Sequence, residues 1–286
     1  MKINKKTIEL VTQKITGLSK LELFLKKNIQ KKFKPKIDEA LYRLKKWEPL
    51  EYIINSAEFY SLDFFVDKRV LVPRNETEII VDKILKHISQ KLSLTTSKKN
   101  IKQNKKIILV DIWTWSWCIP ISIIKNISKN NLLKKCYISD ISKKALEVLR
   151  INIKKHWLNE VIIPLEWNLL DSIIPIFDKN EEFVYITANL PYIKQNDFEN
   201  MDDSVIWFEP DIALYWWKKT GFELYEKLIR QCVFFKKEKN INTLVLFIEI
   251  WFDQYNISKD FLQKNNLKFE YYQDKNWFYR CVKVEI

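Results

Sequence analysis

Apolar residues recur at helical spacing near the start of the chain, at Ile8, Val11 and Ile15 and again at Leu21, Leu23 and Phe24. That pattern predicts helices from residue 1 to about residue 46, the last covering residues 38–46. Residues 48–72 alternate and are rich in Tyr, Phe and Val, which predicts a β-hairpin. Asn75 and Glu78 have the spacing of a capping box, so a helix should follow to about Gln90. The polar stretch 91–105 reads as a mobile loop. From Lys106 onward strands and helices alternate. Short apolar runs predict strands at 107–111, 136–139, 161–165, 183–188 and 243–250, with helical patterns at 119–127, 142–156 and 222–236. Two final strand-like runs, 268–273 and 278–284, meet at Asn276-Trp277, a turn whose two central residues should both need positive φ. The alternation predicts a mainly parallel sheet with helices on both faces. The expected organisation is a helical N-terminal domain (1–47), a linking hairpin (48–73) and an α/β, Rossmann-like domain (74–286).

Composition alters this picture at particular positions. The chain has two glycines, Gly17 and Gly221, and 11 tryptophans in 286 residues. An average chain carries about 7% glycine, roughly twenty at this length. The tryptophans stand where glycine belongs. Trp47 follows the helical stretch and precedes Pro49 by two residues, and Trp157 follows the run 142–156. Both are C-terminal cap positions. Trp277 lies in the hairpin turn, and Trp216-Trp217 fall in a loop where two glycines would be ordinary. This coincidence predicts that most of these positions are glycine in the natural protein, through a codon, UGA foremost, that one genetic code reads as Trp and another as Gly. Trp207, at no turn, is the best candidate for a true tryptophan.

The net charge of +13 comes from dispersed lysines, with one cluster between Lys98 and Lys106 that reads as a solvated connection. Lys, Ile and Asn are abundant throughout, as AT-rich coding produces, so the basicity does not by itself call for a nucleic-acid partner. No apolar run approaches the ~20 residues that a membrane span needs, and the N-terminus lacks the apolar core of a signal peptide. Cys118, Cys136, Cys232 and Cys281 form no CxxC pair, and His87 and His156 are the only histidines. No metal site is expected, and a reducing cytoplasm is the expected compartment.

Two stretches carry chemistry. Asp111, Trp113, Thr114, Trp115, Ser116 and Trp117 lie between a strand and its helix. With glycine at the tryptophans the stretch reads D-I-G-T-G-S-G, a loop whose backbone can approach a nucleotide at a helix N-terminus. Asp140, at the next strand end, can accept both hydroxyls of a ribose. As tryptophans, the same three side chains would fill that space. The second stretch is Asn189, Leu190, Pro191 and Tyr192, directly after the strand 183–188. It resembles the [N/D]-x-P-[Y/F/W] motif of enzymes that methylate nitrogens conjugated to a π system. Such a nitrogen is a poor nucleophile because its lone pair is delocalised. The Asn189 side-chain oxygen and the Leu190 carbonyl can accept its two N–H bonds and fix the lone pair, with Pro191 stiffening the turn and Tyr192 packing on the planar group.

Further stretches make the resemblance specific. Trp47, Pro49, Tyr52 and Ile53 with Glu58 and Phe59 resemble a G-x-P-x-x-Y-I…E-F segment. Leu71, Pro73, Arg74, Thr77 and Glu78 match L-x-P-R-x-x-T-E, and Glu209, Pro210, Ala213, Leu214, Trp216 and Trp217 match E-P-x-x-A-L-x-G-G. Glu249-Ile250-Trp251 resembles E-I-G. Together these resemble the bacterial release-factor glutamine N5-methyltransferases, and each glycine of those motifs falls on a tryptophan here. The resemblance implies a class I S-adenosylmethionine-dependent methyltransferase that modifies the glutamine of the Gly-Gly-Gln loop in class 1 peptide release factors. It implies cofactor contacts from the 113–117 loop, Asp111, Asp140, Asn168, Leu169 and Asn189. It also implies substrate contacts from Asn189–Tyr192, a pocket shaped by Arg74, Thr77 and Glu78, a helical domain that helps hold the release factor, and a monomer. Two departures are visible: the usual N-P-P-Y is N-L-P-Y, and Asn168 stands where an Asp is common. An adenine N6-methyltransferase is the alternative enzyme, since N-L-P-Y occurs there too. A catalytically inactive module that binds release factor or RNA is the expectation if every tryptophan is literal.

Overall fold

The first helix starts where the Asn4 side chain accepts the Thr7 N–H, and it ends at Gly17 with φ +70°. The computed structural model describes residues 3–25, 27–96, 106–113, 116–127, 132–166, 168–193, 203–214 and 220–286. That helix (α1, Lys5–Thr16) is followed by α2 (Lys20–Leu25), α3 (Lys27–Lys45) and α4 (Leu50–Ile54). Val11, Ala40, Leu44 and Ile53 close a small core of their own. A tight hairpin follows, β1 (Ala57–Phe59) with β2 (Leu62–Phe64). A 3-10 turn at Asn75–Thr77 then leads into α5 (Glu78–Thr96).

The expected alternation comes next: β3 (Ile107–Ile112), α6 (Cys118–Ile127), β4 (Leu133–Asp140), α7 (Lys143–His156), β5 (Ile162–Glu166), α8 (Ile173–Ile176) and β6 (Phe183–Ala188). The chain continues through α9 (Asp203–Phe208), α10 (Asp211–Leu214), α11 (Glu223–Lys239), β7 (Thr243–Glu249), α12 (Tyr255–Lys264), β8 (Lys268–Gln273) and β9 (Tyr279–Glu285). One seven-stranded sheet has the order β5-β4-β3-β6-β7-β9-β8. β9 runs antiparallel to both its neighbours, and the pairs from β5 to β7 are parallel. Every residue of β3 and β6 is buried, as a parallel strand covered on both faces requires. Side chains alternate between two cores: Ile107 and Leu109 of β3 join α5, α6, α7 and the hairpin, while Ile108, Val110 and Ile112 face α8, α11 and α12.

Several expectations need correction. The 48–72 segment holds a short helix (α4) before a smaller hairpin than predicted. The capping box does not form, because the Glu78 carboxylate accepts the Tyr60 N–H at 2.7 Å, a tertiary contact in place of a local one. α5 runs past Gln90 to Thr96, so the expected loop begins later; its remainder, 97–105, lies outside the described residues. At the last hairpin, Trp277 has positive φ and Asn276 does not. Trp277 N–H bonds the Asp274 carbonyl at 3.1 Å, which makes a turn over 274–277 whose last residue is left-handed, instead of the two-residue turn expected.

Twelve non-glycine residues among those described have positive φ; four are Asn, the usual tolerant type, and five are Trp: 47, 113, 117, 157 and 277. At the end of α3, Trp47 N–H bonds Leu44 O and Glu48 N–H bonds Arg43 O. At the end of α7, Trp157 N–H bonds Lys154 O and Leu158 N–H bonds Ile153 O. These paired bonds are the Schellman arrangement, whose left-handed residue is usually glycine. α11 ends the same way with Asn240 in that place. A left-handed L-residue costs roughly 1–2 kcal/mol, and glycine returns part of the difference through its looser unfolded chain. Trp157, 87% exposed, has little packing to lose. Trp157→Gly should therefore raise stability by about 0.5–1 kcal/mol, read as a higher urea midpoint at unchanged m-value. A lower midpoint would show that the indole contributes more than its backbone strain removes.

Candidate active site

Strand register builds the site. β4, β3, β6 and β7 pair so that Ser139, Ile112, Ala188 and Ile248 stand side by side. The next residue along each strand is Asp140, Trp113, Asn189 and Glu249, so four site positions form one row at the carboxyl edge of the sheet. β5 adds Glu166 opposite Asp140, with Asn168 two residues beyond. Strand order reverses between β3 and β6, and that switch point is where open α/β sheets bind ligands.

On the β3–β4 side, Asp111 is fully buried and accepts a hydrogen bond from the Thr187 hydroxyl of β6. Asp140 is 1% exposed; its Oδ1 accepts the Ser142 N–H at 2.7 Å, while Ser142 itself caps α7. Its Oδ2 is buried with no hydrogen-bond partner among the described residues, and so is Asn168 Oδ1. Burial, reinforced by the nearby Asp111 charge, pushes the Asp140 carboxyl up to about 8 against the Ser142 N–H, which lowers it. Buried acceptors normally find donors, and these two are suited to a ribose hydroxyl and an adenine amino group. The loop beside them fits a nucleotide cofactor poorly. Trp113 (φ +56°) and Trp117 (φ +54°) are 2% and 0% exposed, with bulky indoles packed into the two cores at a loop whose backbone a nucleotide would need to approach. The Trp117 Nε1 has no hydrogen-bond partner among the described residues. Ser116 is buried and its hydroxyl meets the Cys118 sulfur. Leu169 is buried with φ +55°. Thr114 and Trp115 lie outside the described residues.

On the β6–β7 side, Asn189 is 7% exposed and Leu190 fully buried. The Tyr225 hydroxyl of α11 grips Leu190 twice: it accepts the Leu190 N–H at 2.9 Å and donates to the Leu190 carbonyl at 3.3 Å. Gly221 closes on the same turn from outside. A Cβ there would lie 2.2 Å from the Tyr192 carbonyl oxygen, and its φ is +72°. The Tyr192 hydroxyl donates to Glu249 at 3.4 Å, and the Tyr192 ring stacks on Trp251 at 5.2 Å. Glu249 is 3% exposed, and burial pushes it up to about 6 although the Thr77 hydroxyl and Arg280 oppose the shift.

The remaining motif residues converge on this side. Arg74 bonds both carboxylate oxygens of Glu209, at 2.7 and 2.8 Å. Glu209 is buried, which pushes it up to about 7 against the pull of Arg74. Thr77 faces Glu249, while Glu78 turns away to the hairpin. The structure therefore gathers Asn189–Tyr192, Arg74 and Thr77, and assigns Glu78 to holding the hairpin. Sequence reasoning gave no role to Thr187, Gly221, Tyr225 or Glu249. Glu249 carried a signal, a lone charge within an apolar strand; Tyr225 carried none, since its contact spans 35 residues.

The four cysteines are buried and free. Among the described residues no helix is long and apolar enough to cross a membrane. No protein-family model matches the chain. It is 36% identical over 252 residues to the release factor glutamine methyltransferase of Mycoplasma mycoides, covering 87% of this chain and 80% of that one. It is 32% identical over 253 residues to that of Dictyoglomus turgidum, covering 87% and 79%. A bifunctional methyltransferase of Rickettsia bellii is 28% identical, and there the match spans 45% of the relative's length. Among solved structures, the hMettl16 catalytic domain in complex with MAT2A 3'UTR hairpin 6 superposes with a TM-score of 0.53 at 12% identity, over 79% of this chain and 76% of that one. That likeness shows a class I methyltransferase fold and nothing about the substrate.

Two stability outcomes follow from these buried carboxylates. Asp140 is raised above its unfolded value, so the stability it contributes is full below about pH 4 and is lost as pH rises toward about 8. Asp140→Asn should flatten the fall in melting temperature of the ligand-free protein between pH 5 and pH 9, whereas Glu209 and Glu249 titrate alike in both proteins; parallel curves would contradict the buried, half-satisfied carboxylate. Arg74→Ala strands Glu209 inside. Because the Arg74 side chain is 40% exposed, the expected loss is about 1–3 kcal/mol, measured by denaturant unfolding at pH 8, and a loss below ~0.5 kcal/mol would make the pair a surface ion pair only.

Proposed function

This chain belongs to the release factor glutamine methyltransferase family, and on that premise we propose that it transfers a methyl group from S-adenosylmethionine to the side-chain amide nitrogen (N5) of the glutamine in the Gly-Gly-Gln loop of a class 1 peptide chain release factor. The observation that carries the reading is the Asn189–Tyr192 turn, set at the switch point beside the β3 loop and the free acceptors of Asp140 and Asn168. A carboxamide nitrogen must be held with its lone pair toward the methyl donor. Asn189 Oδ1 and the Leu190 carbonyl are the acceptors for its two N–H bonds, and Tyr225 fixes the carbonyl's direction. That carbonyl comes from the backbone, so leucine serves where the family commonly has proline. Tyr192 offers a ring to the planar amide, and Glu249 with Thr77 holds that ring from below. No strong base is needed, because the nitrogen sheds its proton easily once methylated.

In this reading Asp140 and Asn168 hold the ribose and adenine of the cofactor. Arg74 and Glu209 brace the substrate pocket, and residues 1–47 form the domain that holds the release factor. The protein works as a cytoplasmic monomer, with no nucleic acid as direct substrate.

The test is methyl transfer by protein isolated from its source cells, offered a class 1 release factor or ribosomal RNA. Label is expected in the release-factor glutamine and not in RNA; label in RNA would move the reading to adenine methylation. Asn189→Ala should cut transfer by about 10²–10³-fold with S-adenosylhomocysteine binding unchanged. Undiminished turnover would remove Asn189 from the nucleophile-orienting role.

A further inference from the structure

The tryptophans and the cofactor site disagree, and the disagreement has a pattern. Seven tryptophans lie among the described residues, and five of them, Trp47, Trp113, Trp117, Trp157 and Trp277, have φ between +54° and +68°. A bulky side chain at positive φ is a true outlier for one residue. Here it is the rule for one residue type, in a chain with two glycines.

Each of the five does a glycine's work. Trp47 and Trp157 occupy the left-handed place of Schellman caps, and Trp277 is the last residue of a hairpin turn, a left-handed place where glycine is usual. Trp113 and Trp117 flank the loop at the switch point. Trp117, Trp157 and Trp277 do not show what a selected tryptophan shows, a packed ring with a bonded indole N–H. Trp157 and Trp277 are 87% and 79% exposed, and Trp117 is fully buried with its Nε1 lacking a partner among the described residues. The exceptions sharpen the pattern. Trp207 sits in the helix α9 without positive φ, and Trp251 also lacks it.

We infer that positions 47, 113, 117, 157 and 277 are glycine in the protein that the source cell makes, because the codon translated here as tryptophan is read there as glycine. Glycine at 113 and 117 removes two buried indoles from the loop after β3, the strand next to the one that ends in Asp140. The bearing of this on cofactor binding rests on the proposed cofactor reading; the inference about the residues does not. It also narrows the substrate. A cell that decodes UGA as an amino acid cannot keep a factor that terminates there, so the class 1 factor left for this enzyme is the one that reads UAG.

The first experiment is peptide mass spectrometry of the full-length protein from its source cells, covering residues 107–125 and the peptides containing 47, 157 and 277. Glycine at the five positions is the expected result, and tryptophan at them overturns the inference. The same peptide reads position 115. The second experiment expresses two synthetic genes in which these positions, with 115, are written unambiguously as glycine or as tryptophan. The glycine protein should melt higher and bind S-adenosylhomocysteine by calorimetry, at least tenfold tighter than the tryptophan protein. Glycine in the native peptides with no binding by the glycine protein would sink the cofactor reading and leave the decoding inference standing. A tryptophan protein that melts higher and binds as well would contradict the inference on physical grounds. An intact UGA-reading release factor in the source genome would likewise count against it.

Discussion

The pairing of β3 with β4 on one side and β6 on the other is the constraint on which the site depends. Parallel strands pair in a fixed register because each buries a different set of side chains on each face. Once Ile112 stands beside Ser139 and Ala188, the following residues must emerge together at one edge. Asp140 and Asn189 come from segments 49 positions apart in sequence but leave the sheet in the same row. A slip of one residue in either strand would exchange the side chains that face the two cores and carry its functional residue to the wrong face. Site geometry and core packing are thus one requirement.

Around that row, buried carboxylates act as ties between segments far apart in sequence. Glu209 receives Arg74 across 135 residues, and Glu249 meets Tyr192 across 57. Each carboxylate is desolvated, and each is raised above its usual range for that reason. Such groups are poor sources of net stability but demanding of geometry. Their positions explain why the 71–78, 189–192, 208–214 and 249–251 stretches belong together: they are the parts of one wall.

The sheet was legible in the chain because its strands are uniform. Residues 107–110 and 183–186 are apolar throughout, and short apolar runs between helical patterns have one common solution. The Asn189–Tyr192 turn was legible because its residue types answer a specific chemical need. What escaped was non-local. Glu78 has the spacing of a capping box, yet its carboxylate finds the Tyr60 N–H, 18 residues back, in a hairpin that no local pattern could place. Tyr225 looks like any core tyrosine until the fold brings its hydroxyl to Leu190. The cap at Trp157 was legible for the opposite reason: a left-handed helix end has a strong local residue preference, so a residue that violates it shows in sequence before it shows in dihedrals.

The two genuine glycines differ in what they demand. Both have left-handed backbone, at φ +70° and +72°. Around Gly17 a Cβ would meet nothing within 4 Å, while at Gly221 it would strike the Tyr192 carbonyl. The first site is restricted only by dihedral angle, and the second by dihedral and contact together. Under mutation and selection they would therefore drift differently. Position 17 is open to asparagine, as position 240 already is at the end of α11. Position 221 is closed to all other residue types for as long as the neighbouring turn holds its place, so it is an immovable point against which the rest of the wall can vary.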